Sequence, residues 1–77
     1  MRNLTDKENL LLFGKFIREK RELKGYSQEE VAELIGITQS YYARIELGKR
    51  NVDLFVSMKI CEVLGTSLKD FLKTYHK

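Results

Sequence analysis

The sequence contains no proline and no tryptophan, and it has one cysteine and one histidine among its 77 residues. Because proline is absent and no stretch alternates like a strand, an all-α fold is expected. Cys61 has no second cysteine to pair with and no metal-ligand spacing around it, so it is interpreted as a small buried hydrophobic residue. A lone cysteine also favours a reducing, cytoplasmic setting. His76 has no partner spacing for a ligand or catalytic role.

Several kinds of functional site and targeting segment are missing as well. No apolar run approaches the ~20 residues that span a bilayer, and the N-terminus lacks the basic-then-apolar layout of a secretion signal. The sequence shows no paired histidine and acidic set, no nucleophile beside a base and no phosphate-binding glycine loop. Its glycines are interpreted as helix stops. The chain is therefore predicted not to be an enzyme, and to use no cofactor, metal or membrane.

What the chain does contain suits one small folded domain. Apolar residues make up 43% of the sequence and charged residues 32%, a balance that supports a core and argues against disorder. No linker, repeat or low-complexity segment divides the chain, so residues 1–77 are expected to form a single domain. The net charge of +3 favours an anionic partner only mildly, and the distribution of the charges has to decide.

Five helices are predicted from recurring cap and stop residues, and they are expected to pack as a compact bundle. The predicted caps are Thr5–Glu8, Ser27–Glu30, Thr38, Asn51–Asp53 and Ser67–Asp70. The predicted helices end at about Lys24, before Gly36, at about Leu47, at about Leu64 and near Tyr75.

Residues 28–47 have the spacing of a helix-turn-helix, in which two short helices cross closely around a tight turn. Ala32 is small enough for the crossing, and Gly36 permits a turn conformation that a Cβ would penalise. Five apolar residues pin the two helices together: Val31, Ile35, Ile37, Tyr42 and Ile45. At 100° per residue, four residues of the third helix fall on one side of it and are expected to point inward: Thr38, Tyr42, Ile45 and Glu46.

The opposite face of the third helix carries the residue types that read bases in a DNA major groove. Gln39 can pair with adenine, Arg44 with guanine, and Ser40 with either. Four surrounding residues are predicted to bind phosphates: Gln28, Tyr41, Lys49 and Arg50. Any amphipathic surface helix can also expose glutamine, serine and arginine. The assignment therefore depends on the whole helix-turn-helix pattern and not on these three residues alone.

Two blocks resemble the phage-repressor and Cro type, or XRE family, of helix-turn-helix domains. The first runs from Ile17, Arg18 and Arg21 to GYSQEEVA at residues 25–32, and the second is GITQSYYARIELGKRN at residues 36–51. The resemblance covers about residues 12–72. It implies a lambda-repressor-like bundle of five helices with the third helix in the major groove.

The resemblance also implies a mostly buried salt bridge between Arg21 and Glu46. Tyr42 departs from the family pattern, which usually has a branched aliphatic residue there, so the tilt of the third helix is the open point. Within the family, the short chain and the run from Asn51 to Leu64 are similar to the controller proteins of restriction–modification systems. Small phage repressors and antitoxins are similar too.

A homodimer is expected because one short helix reads only a few base pairs, whereas two of them about 34 Å apart read a palindrome. Leu54, Met58, Cys61 and Leu64 are assigned to the core face of the fourth helix, with Ile60 beside it. Residues 54–75 are the predicted dimerisation region, with interface residues Phe55, Val56, Val63, Phe71 and Tyr75. The alternative is that the last helix or the N-terminal segment covers these side chains.

The sequence thus predicts a homodimeric, sequence-specific regulator of transcription that binds double-stranded DNA. Its predicted location is the cytoplasm, where it would be associated with the nucleoid as a bacterial or phage protein. The alternative is a protein-interaction module, such as an antitoxin that masks a toxin and represses its own gene. The chain lacks the extra tail that masking a toxin usually requires, which favours the regulator.

Overall fold

The computed structural model describes residues 7–75, and α-helices account for most of them. They are α1 (Lys7–Lys24), α2 (Gln28–Ile35), α3 (Gln39–Glu46), α4 (Leu54–Val63) and α5 (Leu68–Tyr75). No strand occurs between residues 7 and 75, so the prediction of an all-α, five-helix fold is confirmed. The radius of gyration is 11.2 Å, close to the about 11.5 Å expected for a compact chain of this length.

Side-chain caps define where the helices begin. Ser27 and Glu30 form a complete capping box at the start of α2, in which each side chain accepts a hydrogen bond from the backbone N–H of the other. These bonds satisfy N–H groups that a helix N-terminus leaves open. Three further side-chain oxygens accept a hydrogen bond from the N–H three residues later: those of Thr38, Asp53 and Ser67. Thr5, the predicted cap of α1, and His76 lie outside the described residues.

One glycine does not end a helix. Gly14 lies within α1 and is buried, and a Cβ added there would lie 2.3 Å from the carbonyl oxygen of Glu46 and 2.7 Å from that of Ile45. α1 and the end of α3 therefore touch at a point where only glycine fits. The interpretation of the glycines as helix stops is wrong for Gly14, although the other four follow helices with φ of 70° to 79°.

An aromatic cluster joins α1 to α5 in the core. The ring centroids of Phe13 and Phe71 are 5.4 Å apart, and those of Phe16 and Phe71 are 5.5 Å apart, in the edge-to-face arrangement that aromatic pairs favour. Phe71 is only 1% exposed. Its predicted place in a dimer interface is therefore wrong, because a ring that fills the core of its own chain cannot also face a second copy.

The buried face of α4 differs from the predicted one. Leu54 and Met58, both assigned to the core from the sequence, are 57% and 51% exposed. Ser57 is buried instead, because its hydroxyl donates a hydrogen bond to the carbonyl of Leu54 at 2.7 Å and so needs no water. With Ser57 inward, the buried face of α4 is centred roughly 60° around the helix from the predicted one, at 100° per residue. The residues that point inward are Ser57, Ile60, Cys61 and Leu64.

Candidate nucleic-acid interface

The inward face of α3 is held firmly in the core. Tyr42 and Ile45 are 0% and 1% exposed, and Gly14 allows the backbone of α1 to reach the carbonyl end of this helix. Thr38 was expected to point inward as well, but it is exposed. As the N-cap, its side chain turns back along the surface to accept a hydrogen bond from the N–H of Tyr41.

The outward edge of α3 is available to a ligand. Gln39, Ser40 and Arg44 are all exposed, and within residues 7–75 no hydrogen bond or ion pair occupies their side chains. Ser40 and Arg44 lie about 40° apart on successive turns of the helix. The edge thus presents an amide at the start of α3 and a hydroxyl and a guanidinium on successive turns. α3 adds no carboxylate to this edge, since Glu46 points inward.

A buried salt bridge ties α3 to α1. Nε of Arg21 donates to Oε2 of Glu46 at 2.6 Å, and Nη2 donates to Oε1 at 3.1 Å, which is the bidentate geometry that suits this pair. The Arg21 side chain is 14% exposed and that of Glu46 is 3% exposed. Nη1 of Arg21 also donates to the carbonyl of Tyr26 at 2.9 Å. The pair therefore connects α1, the turn before α2, and α3.

Gln28 has a structural role that was not predicted, beside the predicted contact with a phosphate. Its side chain is half-buried, and Nε2 donates to Oε1 of Glu46 at 2.9 Å. One donor of the amide is therefore committed to the core network, and only the second N–H of that nitrogen is left for a phosphate. This bond adds α2 to the set of helices that Glu46 holds together, so one carboxylate helps to orient the outward edge relative to both α1 and α2.

The ionisation of Glu46 follows from these contacts. Burial alone raises the pKa of this carboxyl, but hydrogen bonds from Arg21 and Gln28 outweigh it and hold the pKa below the ordinary value of 4.5. The hydrogen bond to Glu46 likewise raises the pKa of Arg21. Both groups are therefore charged at neutral pH, as the pair requires.

The hydroxyl of Tyr42 is buried beside this salt bridge. Within residues 7–75 it has no partner that meets hydrogen-bond geometry, although Glu46 and Arg21 are near enough to influence its ionisation. Burial, more than any other cause, raises the pKa of the phenol above 10.0, so the side chain is neutral. The ring fits the inward face of α3 despite the departure from the family pattern.

The chain after α3 is anchored on both sides. The N–H groups of Gly48 and Lys49 donate to the carbonyls of Ile45 and Arg44, each at 3.0 Å, with Gly48 in the left-handed conformation at φ 70°. Val52 is 3% exposed and enters the core. Lys49 and the residue after it therefore lie on a short, fixed segment at the carbonyl end of α3.

Arg50 lies over the ring of Tyr41. The guanidinium carbon is 4.8 Å from the ring centroid, within the range of a cation–π contact. Tyr41 is half-buried and packs against the core, whereas Arg50 is exposed. Two of the four predicted phosphate-binding residues thus form one unit on the flank of α3.

Three of these relationships were not found from the sequence. Gly14 carried a signal, since an isolated glycine inside a helical pattern lowers helix stability and its missing Cβ leaves room for another backbone. The bond from Gln28 to Glu46 and the contact between Arg50 and Tyr41 had no sequence signal. Both depend on how α2, α3 and the following loop are placed in space.

Other kinds of site are not seen in the described part of the chain. Between residues 7 and 75 there is no group of three or more histidine, cysteine, aspartate or glutamate residues that could hold a metal ion. None of the helices described is long and apolar enough to cross a membrane.

Comparison with known proteins points to one family. A family model described as Helix-turn-helix (HTH_3) matches residues 17–71. The chain is 38% identical over 65 residues to the SPbeta prophage-derived uncharacterized HTH-type transcriptional regulator YonR of Bacillus subtilis. That match covers 84% of this chain but 60% of the relative, so the chain spans less than two thirds of that protein's length.

Two further similarities are to a control protein and to a restriction-modification controller protein. The chain is 38% identical over 66 residues to control protein C.MunI of a Mycoplasma species, a match that covers 84% of this chain and 89% of that protein. The crystal structure of the restriction-modification controller protein C.AhdI from Aeromonas hydrophila superposes with a TM-score of 0.74 at 38% identity, covering 83% of this chain and 97% of that one. The two crossed helices and the outward polar edge agree with these matches. The chain belongs to the XRE-type helix-turn-helix family of DNA-binding transcriptional regulators.

Proposed function

We propose that this protein binds double-stranded DNA sequence-specifically as a homodimer and regulates transcription from a palindromic operator, with α3 in the major groove. The observation that carries the proposal is the contrast between the two faces of α3. The inward face is locked by Tyr42, Ile45 and the Arg21–Glu46 pair, whereas the outward edge presents uncommitted polar side chains. A rigid helix with an unoccupied polar edge can enter the groove without first being reordered.

The outward edge supplies the chemistry of base reading. Arg44 can donate two hydrogen bonds to the acceptors of guanine, and Gln39 can both donate to and accept from adenine. Ser40 can serve either base, one turn before Arg44. Each correct bidentate pair discriminates against a wrong base by about 1–3 kcal/mol. These three side chains can contact only a few base pairs, so one domain alone has modest sequence specificity.

Cations beside the edge supply affinity for the backbone. Lys49 and Arg50 are exposed on the anchored segment after α3, where they can meet phosphates that flank the groove. The remaining N–H of Gln28, at the start of α2, adds a smaller contact. Because such contacts release counterions, affinity should fall steeply as salt increases, with a slope that reports the number of phosphates bound by the dimer.

The exposed apolar residues of α4 support a homodimer. Leu54, Phe55 and Met58 are 57%, 76% and 51% exposed, and they fall within about 100° on one side of the helix. Three large apolar side chains together on a small protein mark a contact surface. We place the centre of the dimer interface there. Val56 and Val63 lie on the other flank of α4 and are half-buried, as is Tyr75, so they are at most peripheral to it.

A charge placed on the α4 surface tests this assembly. Phe55→Glu should convert the dimer to a monomer in sedimentation equilibrium, and should weaken operator binding, because two anchored copies bind far better than one. Leu23→Glu is the matched control, since Leu23 is 82% exposed on α1 and lies outside the proposed surface. A Phe55→Glu variant that remains dimeric would place the interface elsewhere.

Selection of bound DNA from a random pool tests the function itself. The expected result is a palindromic consensus whose half-sites are centred about 10 base pairs, or one helical turn, apart. Recovery of no enriched sequence at low salt would refute sequence-specific binding. An enriched sequence without twofold symmetry would refute the homodimeric mode and leave DNA binding standing.

Similarity to control protein C.MunI and to the restriction-modification controller protein C.AhdI supports a controller-type role. We propose further that the protein acts in the cytoplasm on the DNA upstream of its own operon. Footprinting of that DNA tests this role. Protection of a site that matches the selected consensus is expected, and absence of any protected site there would exclude control of its own operon.

A further inference from the structure

We infer that Tyr41 is a positioning residue for DNA binding: its ring holds the guanidinium of Arg50 at the flank of α3, where that guanidinium meets a phosphate. The inference rests on the proposed DNA-binding function and deepens it. It replaces the sequence-based expectation that the Tyr41 hydroxyl itself donates to a phosphate. The observation behind it is the 4.8 Å separation between the Arg50 guanidinium carbon and the centroid of the Tyr41 ring.

The ring is a fixed platform. Tyr41 lies in the first turn of α3, where its N–H donates to the Thr38 cap at 3.1 Å, and its side chain packs against the core. At 100° per residue it is about 60° around the helix from Arg44. A cation held over this ring therefore lies beside the base-reading edge, on the side where Arg44 projects.

The backbone of Arg50 is fixed as well. The bond from Lys49 N–H to the carbonyl of Arg44 precedes it, and the buried side chain of Val52 follows it. Only the long side chain of Arg50 is left to be ordered, and a free arginine loses much rotamer freedom when it binds. Because the Tyr41 ring already restricts the Arg50 side chain in the free protein, less rotamer freedom is lost when Arg50 binds.

The contact leaves the guanidinium able to bind. A cation–π contact uses the charge of the group and none of its N–H donors, and within residues 7–75 no carboxylate lies within 4 Å of this guanidinium. Its five N–H donors remain for phosphate oxygens, which match their planar, forked arrangement. Tyr41 and Arg50 thus present a preformed phosphate site.

Two substitutions at Tyr41 separate the ring from the hydroxyl. Tyr41→Phe keeps the platform, and operator affinity with its salt dependence should match the wild type. Tyr41→Leu keeps the apolar packing but removes the aromatic face, and affinity should fall by about tenfold for a dimer changed in both protomers. The measurement is fluorescence anisotropy of the duplex obtained by selection, in parallel with circular dichroism to show that each variant is folded.

Coupling between the two residues decides whether the ring acts through Arg50. In an Arg50→Ala background, Tyr41→Leu should have no further effect, because the group that the ring holds is gone. If the two losses multiply, or if Tyr41→Phe loses as much as Tyr41→Leu, the inference is overturned. The second outcome would restore the hydroxyl as the phosphate donor.

A readout without DNA keeps this inference separate from the proposed function. In the free protein, the ring current of Tyr41 should shift the Arg50 side-chain proton resonances upfield, and Tyr41→Leu should abolish the shift while Tyr41→Phe retains it. Unshifted Arg50 resonances in the wild type would overturn the inference even if DNA binding holds. Failure of the wild type to bind any DNA, with the shift present, would instead refute the proposed function.

Discussion

The guanidinium of Arg21 and the carboxylate of Glu46 are 25 positions apart in the chain, and the nearest pair of their atoms is 2.6 Å apart. This contact joins α1 to the end of α3, next to the point where Gly14 lets the two backbones meet. Glu46 also accepts from Gln28 of α2. The reading edge of α3 is thus oriented by a polar network on its inward side.

Removing one partner of the salt bridge should destabilise the fold strongly. Arg21→Met or Glu46→Leu leaves a buried charge unpaired, which costs about 3–5 kcal/mol. Replacing both together should recover most of the loss. Urea unfolding measures this, with Arg18→Ala as the matched control, because the Arg18–Glu22 pair is exposed and its loss costs at most about 1 kcal/mol. Single variants as stable as this control would show that the network does not hold α3.

Acid should weaken the fold through Glu46. Its pKa is lowered in the folded chain, so below the ordinary value of 4.5 the unfolded state binds more protons at this group than the folded state does. The stability it contributes is complete above that value and is lost as pH falls through the lower folded-state pKa. A carbon-13 titration of the Glu46 carboxyl should have its midpoint below 4.5. A midpoint above that value would mean that burial outweighs the hydrogen bonds.

Gly14→Ala should destabilise the protein although α1 is a helix. Helix propensity alone favours alanine over glycine by about 1 kcal/mol. The added methyl group would meet the Glu46 carbonyl oxygen at 2.3 Å, and overpacking of this kind costs about 1–3 kcal/mol. The sign of the change in unfolding free energy is therefore diagnostic. Lys15→Gly, at the exposed neighbouring position, is the control and should lose only about 1 kcal/mol through propensity.

Tyr42→Phe should be neutral or stabilising. The buried hydroxyl lacks a hydrogen-bond partner within the described residues, so its removal relieves a desolvation cost of about 1 kcal/mol or more while the ring still fills the core. Thermal unfolding of this variant beside Tyr26→Phe, a half-buried tyrosine, provides the comparison. A loss of about 1 kcal/mol at Tyr42 would instead indicate a hydrogen bond to Glu46 in solution.

Arg44→Ala and Lys49→Ala should affect DNA binding in different ways. The first removes a base contact and should relax preference at one position of each half-site by about 1–3 kcal/mol. The second should weaken binding to all sequences about equally and reduce the salt slope by about 1 for each phosphate lost. Titrations against single-base operator variants measure both, with Lys69→Ala of α5 as an exposed-lysine control. If Arg44→Ala leaves affinity and base preference unchanged, the assignment of the reading edge is wrong.

Much of this arrangement follows from local chemistry. A side-chain oxygen that accepts from the N–H three residues later starts a helix whatever surrounds it, so the starts of α2 and α3 were predicted within a residue from Ser27 and Thr38. The same holds for the turn at Gly36, whose positive φ of 79° favours glycine. Helical spacing then predicted that Tyr42 and Ile45 point inward and Arg44 outward.

The parts that were predicted wrongly depend on contacts between helices. Spacing along α4 could not show that Ser57 would satisfy its own hydroxyl and take an inward position, which left Leu54 and Met58 at the surface. Likewise, the spacing along α5 could not show that the rings of Phe13 and Phe16 in α1 would cover Phe71. Apolar residues on a short helix outnumber its inward positions, so only the neighbouring helices determine which of them are buried.

The sequence by itself determined the five helices, the turn at Gly36 that joins two of them, and the residue types on each face of α3, because caps, turns and periodicity act over a few residues. Only the tertiary structure decided that Gly14 is a contact point, that Gln28 serves Glu46, and that Arg50 lies over Tyr41. These relationships join residues that are far apart along the chain or separated by a loop. Their energies depend on distance in space, which no local pattern specifies.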